Sequence, residues 1–189
     1  MNDSDVHRPV LYIHGFASSG RSGKVQVLRR HMPRVYAPSL SVNPELAIDT
    51  LRQFIDLLGR PLLVGSSLGG FYAHYLSAAL GLPAVLVNPA LQALTLLQRA
   101  VGLQRSFADG AEFEFTADHL QALGRYQVAH PAQQQLLLLV ELGDELIDQR
   151  QSLQLLPNAE TVALEGGDHG FSRFEEQMET IRRFAAAAD

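Results

Sequence analysis

Six short apolar runs separated by amphipathic stretches constrain this chain more than any other feature. The runs are 10–13, 34–37, 61–64, 84–87, 136–142 and 161–164. Continuous apolar runs of this length suit strands buried on both faces of a sheet. The intervening stretches read as helices. Val25, Val27 and Leu28 give 24–31 an amphipathic face. Pro44 and Glu45 open a helix, where proline fits the first turn and a carboxylate fits the positive end of the dipole. Leu46, Ile48, Leu51, Phe54, Ile55 and Leu58 then recur at helical spacing, and Gly59 closes it. Residues 68–80 form another helix, closed by Gly81, and 171–188 a last one. Strands alternating with helices predict an α/β fold: about six parallel strands with helices on both faces and right-handed crossovers.

With 189 residues, the chain suits one domain with one core, 1–189. One segment breaks the alternation. Residues 90–131 hold no clear strand, and Leu91, Leu94, Leu96, Leu97, Val101 and Leu103 form a helical apolar stripe. Phe107, Phe113 and Phe115 follow in a looser stretch. A small helical insertion of this size on a compact sheet acts as a lid or as an extra helix pair over the core.

Composition removes several function classes. There is no cysteine, so disulfides, thiolate metal sites and a cysteine nucleophile are excluded. The net charge is −5 and no long basic run occurs, which speaks against a nucleic-acid partner. The polar N-terminus lacks the apolar core of a signal peptide. The longest apolar run, 136–140, is too short to span a bilayer. A cytoplasmic protein without membrane span is the expectation; oligomeric state is not legible. No metal motif appears, and the Gly20–Lys24 stretch lacks the spacing of a phosphate loop, so no cofactor is expected.

The junction between the run 61–64 and the helix 68–80 carries the chemistry. Gly65-Ser66-Ser67-Leu68-Gly69 fits G-x-S-x-G, with a strand before and a helix after. In such an elbow the central residue, Ser67, adopts a strained backbone at a turn so tight that side chains two positions either way would clash. Strain of this kind costs about 1–3 kcal/mol. The turn lifts the hydroxyl over the carboxyl ends of the strands, where open α/β sheets bind ligands.

A serine hydroxyl needs a histidine to take its proton and a carboxylate to hold that histidine. In this fold class the order is serine, acid, histidine. After the run 136–142 comes Gly143-Asp144-Glu145-Leu146-Ile147-Asp148, and after 161–164 comes Glu165-Gly166-Gly167-Asp168-His169-Gly170. His169 is the expected base. Asp144 is the expected acid, with Asp148 the alternative and a possible helix cap; Glu145 should point elsewhere. An oxyanion needs two aimed donors. The amides of Leu68 and Phe16 are expected to supply them, with His14 bracing the loop that carries Phe16. Phe16, Leu91 and Leu94 are expected walls for an acyl group. The constellation predicts a serine hydrolase working by acyl transfer on a small-molecule acyl substrate. The alternatives it leaves open are ester or thioester cleavage, amide hydrolysis or another acyl transfer, and a non-catalytic ligand-binding protein on a hydrolase scaffold.

Five blocks in order, YIHGFASSGRSGK (12–24), VGSSLGGFYAHYLS (64–77), LPAVLVNPA (82–90), GDELIDQRQ (143–151) and EGGDHGFSRFE (165–175), are similar to those of the small bacterial YqiA-like esterases. The chain thus resembles the α/β-hydrolase superfamily over nearly its whole length. The resemblance implies a minimal α/β-hydrolase fold without the first two strands of larger relatives. It implies an esterase, with acyl thioesters within its range, and Ser67, Asp144 and His169 as triad. The chain departs from those relatives at Asp168, where they commonly carry asparagine.

Overall fold

The computed structural model describes residues 8–129 and 135–188. The polar N-terminal stretch and the Pro131 end of the segment singled out above lie outside the described residues. Six strands form one parallel sheet: β1 (Val10–Ile13), β2 (Val35–Tyr36), β3 (Leu62–Ser66), β4 (Ala84–Val87), β7 (Leu136–Glu141) and β8 (Glu160–Leu164). Their order across the sheet is β2-β1-β3-β4-β7-β8. Ile13 registers with Gly65 and Gly65 with Leu86, so the strands end nearly level. The loops that follow β1, β3, β4, β7 and β8 therefore emerge along one edge.

Alternate strand residues feed opposite faces, as the pleat requires. Leu11, Ile13, Leu63, Leu86 and Leu138 pack with α2 (Pro44–Leu58) and α3 (Leu68–Leu80) through Leu51, Phe71 and Leu76. Val10, Tyr12, Val64, Val85 and Leu139 pack with α1 (Gly23–His31) and α7 (Met178–Ala187) through Leu28, Ile181 and Phe184. Each leucine withdrawn from water in these two layers contributes about 1.5–3 kcal/mol. Asn43 starts α2 by accepting from the amides of Glu45 at 2.9 Å and Leu46 at 3.2 Å. The last helix is shorter than its apolar pattern predicts. A 3-10 turn, Glu175–Gln177, precedes it, and Phe171 and Phe174 reach the same core from the loop.

The segment after β4 differs from its predicted all-helical form. Among its described residues only α4 (Ala93–Leu97) and α5 (Ala117–Leu123) are α-helical, and β5 (Gly102–Arg105) pairs antiparallel with β6 (Glu112–Phe115). The helical reading fails at Gly102, whose φ of 122° leaves helical space. On β5 the apolar residue points out: Leu103 is 69% exposed, while the Gln104 amide donates to the carbonyl of Ala100 at 2.8 Å. Among the described residues, no helix is long and apolar enough to cross a membrane.

Candidate active site

Backbone crowding builds the junction between β3 and α3. Ser67 has φ 57° and ψ −121°. A Cβ on Gly65 would lie 2.2 Å from the carbonyl oxygen of Gly69, and one on Gly69 would lie 1.9 Å from that of Ile13. Only hydrogen fits at either position, so β3 can turn into α3 within one residue. Asn88 and Ala17 also hold positive φ, at 39° and 55°. With Phe171, at 55°, these four non-glycine residues of positive φ all lie in loops that follow sheet strands, where surrounding structure holds them in place.

The structure brings Ser67, His169 and Asp144 together from the loops after β3, β8 and β7. His169 Nε2 lies 3.0 Å from Ser67 Oγ, and His169 Nδ1 lies 2.9 Å from Asp144 Oδ2. The Asp144 side chain is fully enclosed. Its oxygens also accept from the amides of Leu146 at 2.9 Å and Ile147 at 3.0 Å and from the Gln149 side chain at 2.9 Å. Burial pushes the Asp144 carboxyl up, but the bonds from His169, Gln149 and Ile147 outweigh it and hold the group below its ordinary value. An ionised Asp144 keeps the proton on Nδ1 and leaves Nε2 free to accept from the serine. Asp148 stands apart and caps α6 (Gln149–Leu155), accepting from the amide of Arg150 at 3.1 Å.

The loop bearing His169 has no regular structure, and its backbone is bonded on both sides of the ring. Glu145 does not point elsewhere: its Oε2 accepts from the amide of His169 at 3.0 Å. Asn88 donates to the carbonyls of Asp168 at 2.9 Å and His169 at 3.3 Å. Glu141, which ends β7, accepts from the amide of Asp168 at 2.8 Å. Its other oxygen accepts from Arg173 Nε at 2.8 Å, and the Glu141 side chain is wholly buried. Sequence reasoning missed Glu141 and Asn88 because both close strands that read as purely apolar.

The loop after β1 abuts the serine. A Cβ on Gly15 would lie 3.1 Å from Ser67 Cβ. His14 braces this loop as predicted: Nδ1 donates to the carbonyl of Gly15 at 2.9 Å, and Nε2 accepts from the amide of Leu40 at 2.9 Å. Burial pushes its pKa down, partly opposed by the Gly15 carbonyl, so the ring stays neutral and can play both parts. The hairpin of β5 and β6 holds the same loop from above. The amide of Phe107 donates to the carbonyl of Ala17 at 2.7 Å, and the Phe16 ring meets Phe113 and Phe115 edge-on at 5.7 and 5.1 Å. Among the described residues the amides of Phe16 and Leu68 donate to no backbone carbonyl.

A cavity of about 480 Å³ opens over Ser67 and His169. Phe16 and Leu68 line it, and its apolar wall includes Leu96, Leu97 and Ala100, with Leu146 and Ile147 from the loop after β7. Leu91 and Leu94 are not part of that wall. Leu91, which precedes α4, is buried in the core, and Leu94 packs against that core without lining the cavity. No cluster of metal-ligating side chains occurs among the described residues.

Residues 9–186 match the model of a family described as "Uncharacterised protein family (UPF0227)". The protein YcfP of that family, from Salmonella enteritidis, is 25% identical over 185 residues, covering 93% of this chain and 97% of the relative. Among solved structures, the chain is similar to Est1E of Butyrivibrio proteoclasticus with bound ferulic acid (TM-score 0.71, 12% identity, 97% of this chain and 90% of the other). It is also similar to a monoacylglycerol lipase of Paleococcus ferrophilus (TM-score 0.70, 17% identity, 96% of each chain). At these identities the likeness is one of fold, and the fold is that of the α/β-hydrolases.

Proposed function

The chain belongs to the UPF0227 family, and we propose that it is a serine hydrolase cleaving carboxylic esters or acyl thioesters. The reading is carried by one observation: an unbroken chain of contacts runs from Ser67 Oγ through the His169 ring to the enclosed Asp144 carboxylate. That an esterase and a lipase share the fold adds support.

His169 Nε2 takes the hydroxyl proton as Ser67 Oγ bonds to the substrate carbonyl carbon. The carbonyl oxygen gains the displaced electron pair, and the amides of Phe16 and Leu68 face it. Such a donor is worth about 2.7–4 kcal/mol in the transition state. Asp144 stabilises the imidazolium without taking its proton. Collapse of the adduct breaks the bond to the leaving oxygen or sulfur, which receives the proton from Nε2. Water then attacks the acyl-serine, giving its proton to His169; the acid is released and Ser67 is protonated again. Phe16, Leu96 and Leu97 receive the acyl group.

Ser67→Ala should lower turnover of 4-nitrophenyl butyrate by on the order of 10⁵-fold with an unchanged circular-dichroism spectrum. A fluorophosphonate should label the wild-type serine and not the variant. Residual turnover near the wild-type rate would overturn the assignment, and absence of labelling would favour a binding protein on the same scaffold.

A further inference from the structure

The cavity wall changes character from one side to the other. The segment that follows β4 lines it with Leu96, Leu97 and Ala100, together with Gln104 and Arg105, whose Nε donates to the Gly110 carbonyl. Near the His169 loop it carries Tyr12, Ser22 and Lys24 beside the apolar Leu146 and Ile147. Lys24 Nζ donates to the carbonyl of Gly170, the residue after His169. Two carboxylates act on this ammonium from nearby, Asp168 and Glu141, and Glu141 is already engaged by Arg173. Among the described residues no carboxylate lines the cavity, although the whole chain is acidic, with a net charge of −5. Burial draws the Lys24 pKa down, with Asp168 and Glu141 opposing it, as expected of a cation withdrawn from water with incomplete compensation.

Ser22 stands at the start of α1, caps no amide, and faces the Tyr12 hydroxyl on the same wall of the cavity. Ser18 and Ser22 also line a neighbouring pocket of about 500 Å³, whose wall adds Ser19, Ser39 and Arg21, the last facing Asp109.

Reaction geometry decides which part of a substrate meets this corner. The leaving atom must reach His169 Nε2 to take its proton, so the leaving group departs along the His169 loop. The carbonyl oxygen points to the amides of Phe16 and Leu68, and the acyl chain is left with the apolar wall. We propose that Lys24 forms a subsite for an anionic group, phosphate or carboxylate, on the leaving alcohol or thiol. This deepens the esterase reading and rests on it. Lys24 supplies the charge, and the serine-lined pocket beyond it supplies room for the remainder of a polar leaving group.

The test compares 1-butyrylglycerol with 1-butyrylglycerol 3-phosphate, which share acyl group and scissile bond and differ by one anion. The wild type should favour the phosphate ester in kcat/KM by about tenfold or more, the worth of one partly desolvated ion pair. Lys24→Met should lower that ratio by a similar factor, whatever change the two values share. A lysine that merely pins the His169 loop would depress both esters alike, so an unchanged ratio overturns the subsite, as does a wild-type preference for the neutral ester. A second measurement needs no variant: glycerol 3-phosphate or glycerate should compete with 4-nitrophenyl butyrate at least tenfold more tightly than glycerol. Equal or absent inhibition by both anions overturns the proposal. Fluorophosphonate labelling separates the two levels. A labelled Ser67 with no anion preference refutes the subsite alone, and an unlabelled Ser67 refutes the esterase reading and the subsite with it.

Discussion

Replacing Glu141 by glutamine tests whether the base loop is held electrostatically. The carboxylate has no contact with water; one oxygen serves the amide of Asp168 at 2.8 Å, and the other serves Arg173 through Nε at 2.8 Å and its amide at 3.3 Å. Glutamine keeps the volume but offers a single acceptor, so one side must face an NH₂ group. A hydrogen bond to a charged group is worth about 1.5–3 kcal/mol. Arg173 is 32% exposed, and water recovers part of its loss. We expect a destabilisation of about 2 kcal/mol, or about 6 °C in Tm for a domain of this size. The sign with pH follows from the carboxyl's own shift. Burial raises its pKa, but the bonds from Arg173 and the Asp168 amide outweigh this and hold it below 4.5. Its contribution is therefore complete above about pH 4.5 and is lost as pH falls through the folded value. The Tm gap between wild type and Glu141→Gln should be full at pH 7 and close towards pH 3. At 25 °C kcat should fall more than KM rises, since the loop carrying His169 loosens while the wall formed by Leu96, Leu97 and Ala100 does not. A gap under 2 °C at pH 7, or one that persists unchanged at pH 3, would refute the reasoning.

Three further expectations follow from single residues. Gly69→Ala places a Cβ 1.9 Å from the Ile13 carbonyl oxygen, and should cost more than about 3 kcal/mol, seen as loss of soluble protein or a collapsed urea midpoint. Asp144→Asn should lower kcat by about 10⁴ with KM within a few-fold, since the amide stabilises the wrong imidazole tautomer; steady-state kinetics on 4-nitrophenyl butyrate measure it. Burial of His74 lowers its pKa from 6.5 to about 4, so the unfolded chain takes up its proton first on acidification. Stability should drop by about 3 kcal/mol between pH 6.5 and 4, and urea titrations of His74→Leu should show that drop removed.

The sheet and the elbow were legible because local chemistry specifies them. Buried parallel strands must be apolar throughout, and Gly65 and Gly69 have no alternative where backbones touch. The hairpin after α4 was not read, though it left signals. Glu112-Phe113-Glu114-Phe115 alternates with period two, and Asp109-Gly110 marks its turn. The leucines upstream masked them, because Leu103 lies on the solvent side of β5 at a position that also continues a helical stripe. Which leucines of the stripe line the cavity depends on how the turn before α4 and that short helix sit on the sheet, and spacing alone does not carry this. Glu145 and Glu141 escaped for a related reason: each serves a backbone amide more than twenty residues away in a different loop, and such a partner leaves no local mark.

The bond from the Phe107 amide to the Ala17 carbonyl, with Phe16 seated against Phe113 and Phe115, ties the roof of the cavity to its floor. Selectivity and reactivity therefore share a hinge point. Grafting a foreign hairpin to admit bulkier molecules would free the turn that aims the Phe16 amide, unless the graft returns a donor to residue 17 and an aromatic bed to residue 16. Redesign of this scaffold is easier through side chains of α4, which shape the chamber without touching that turn.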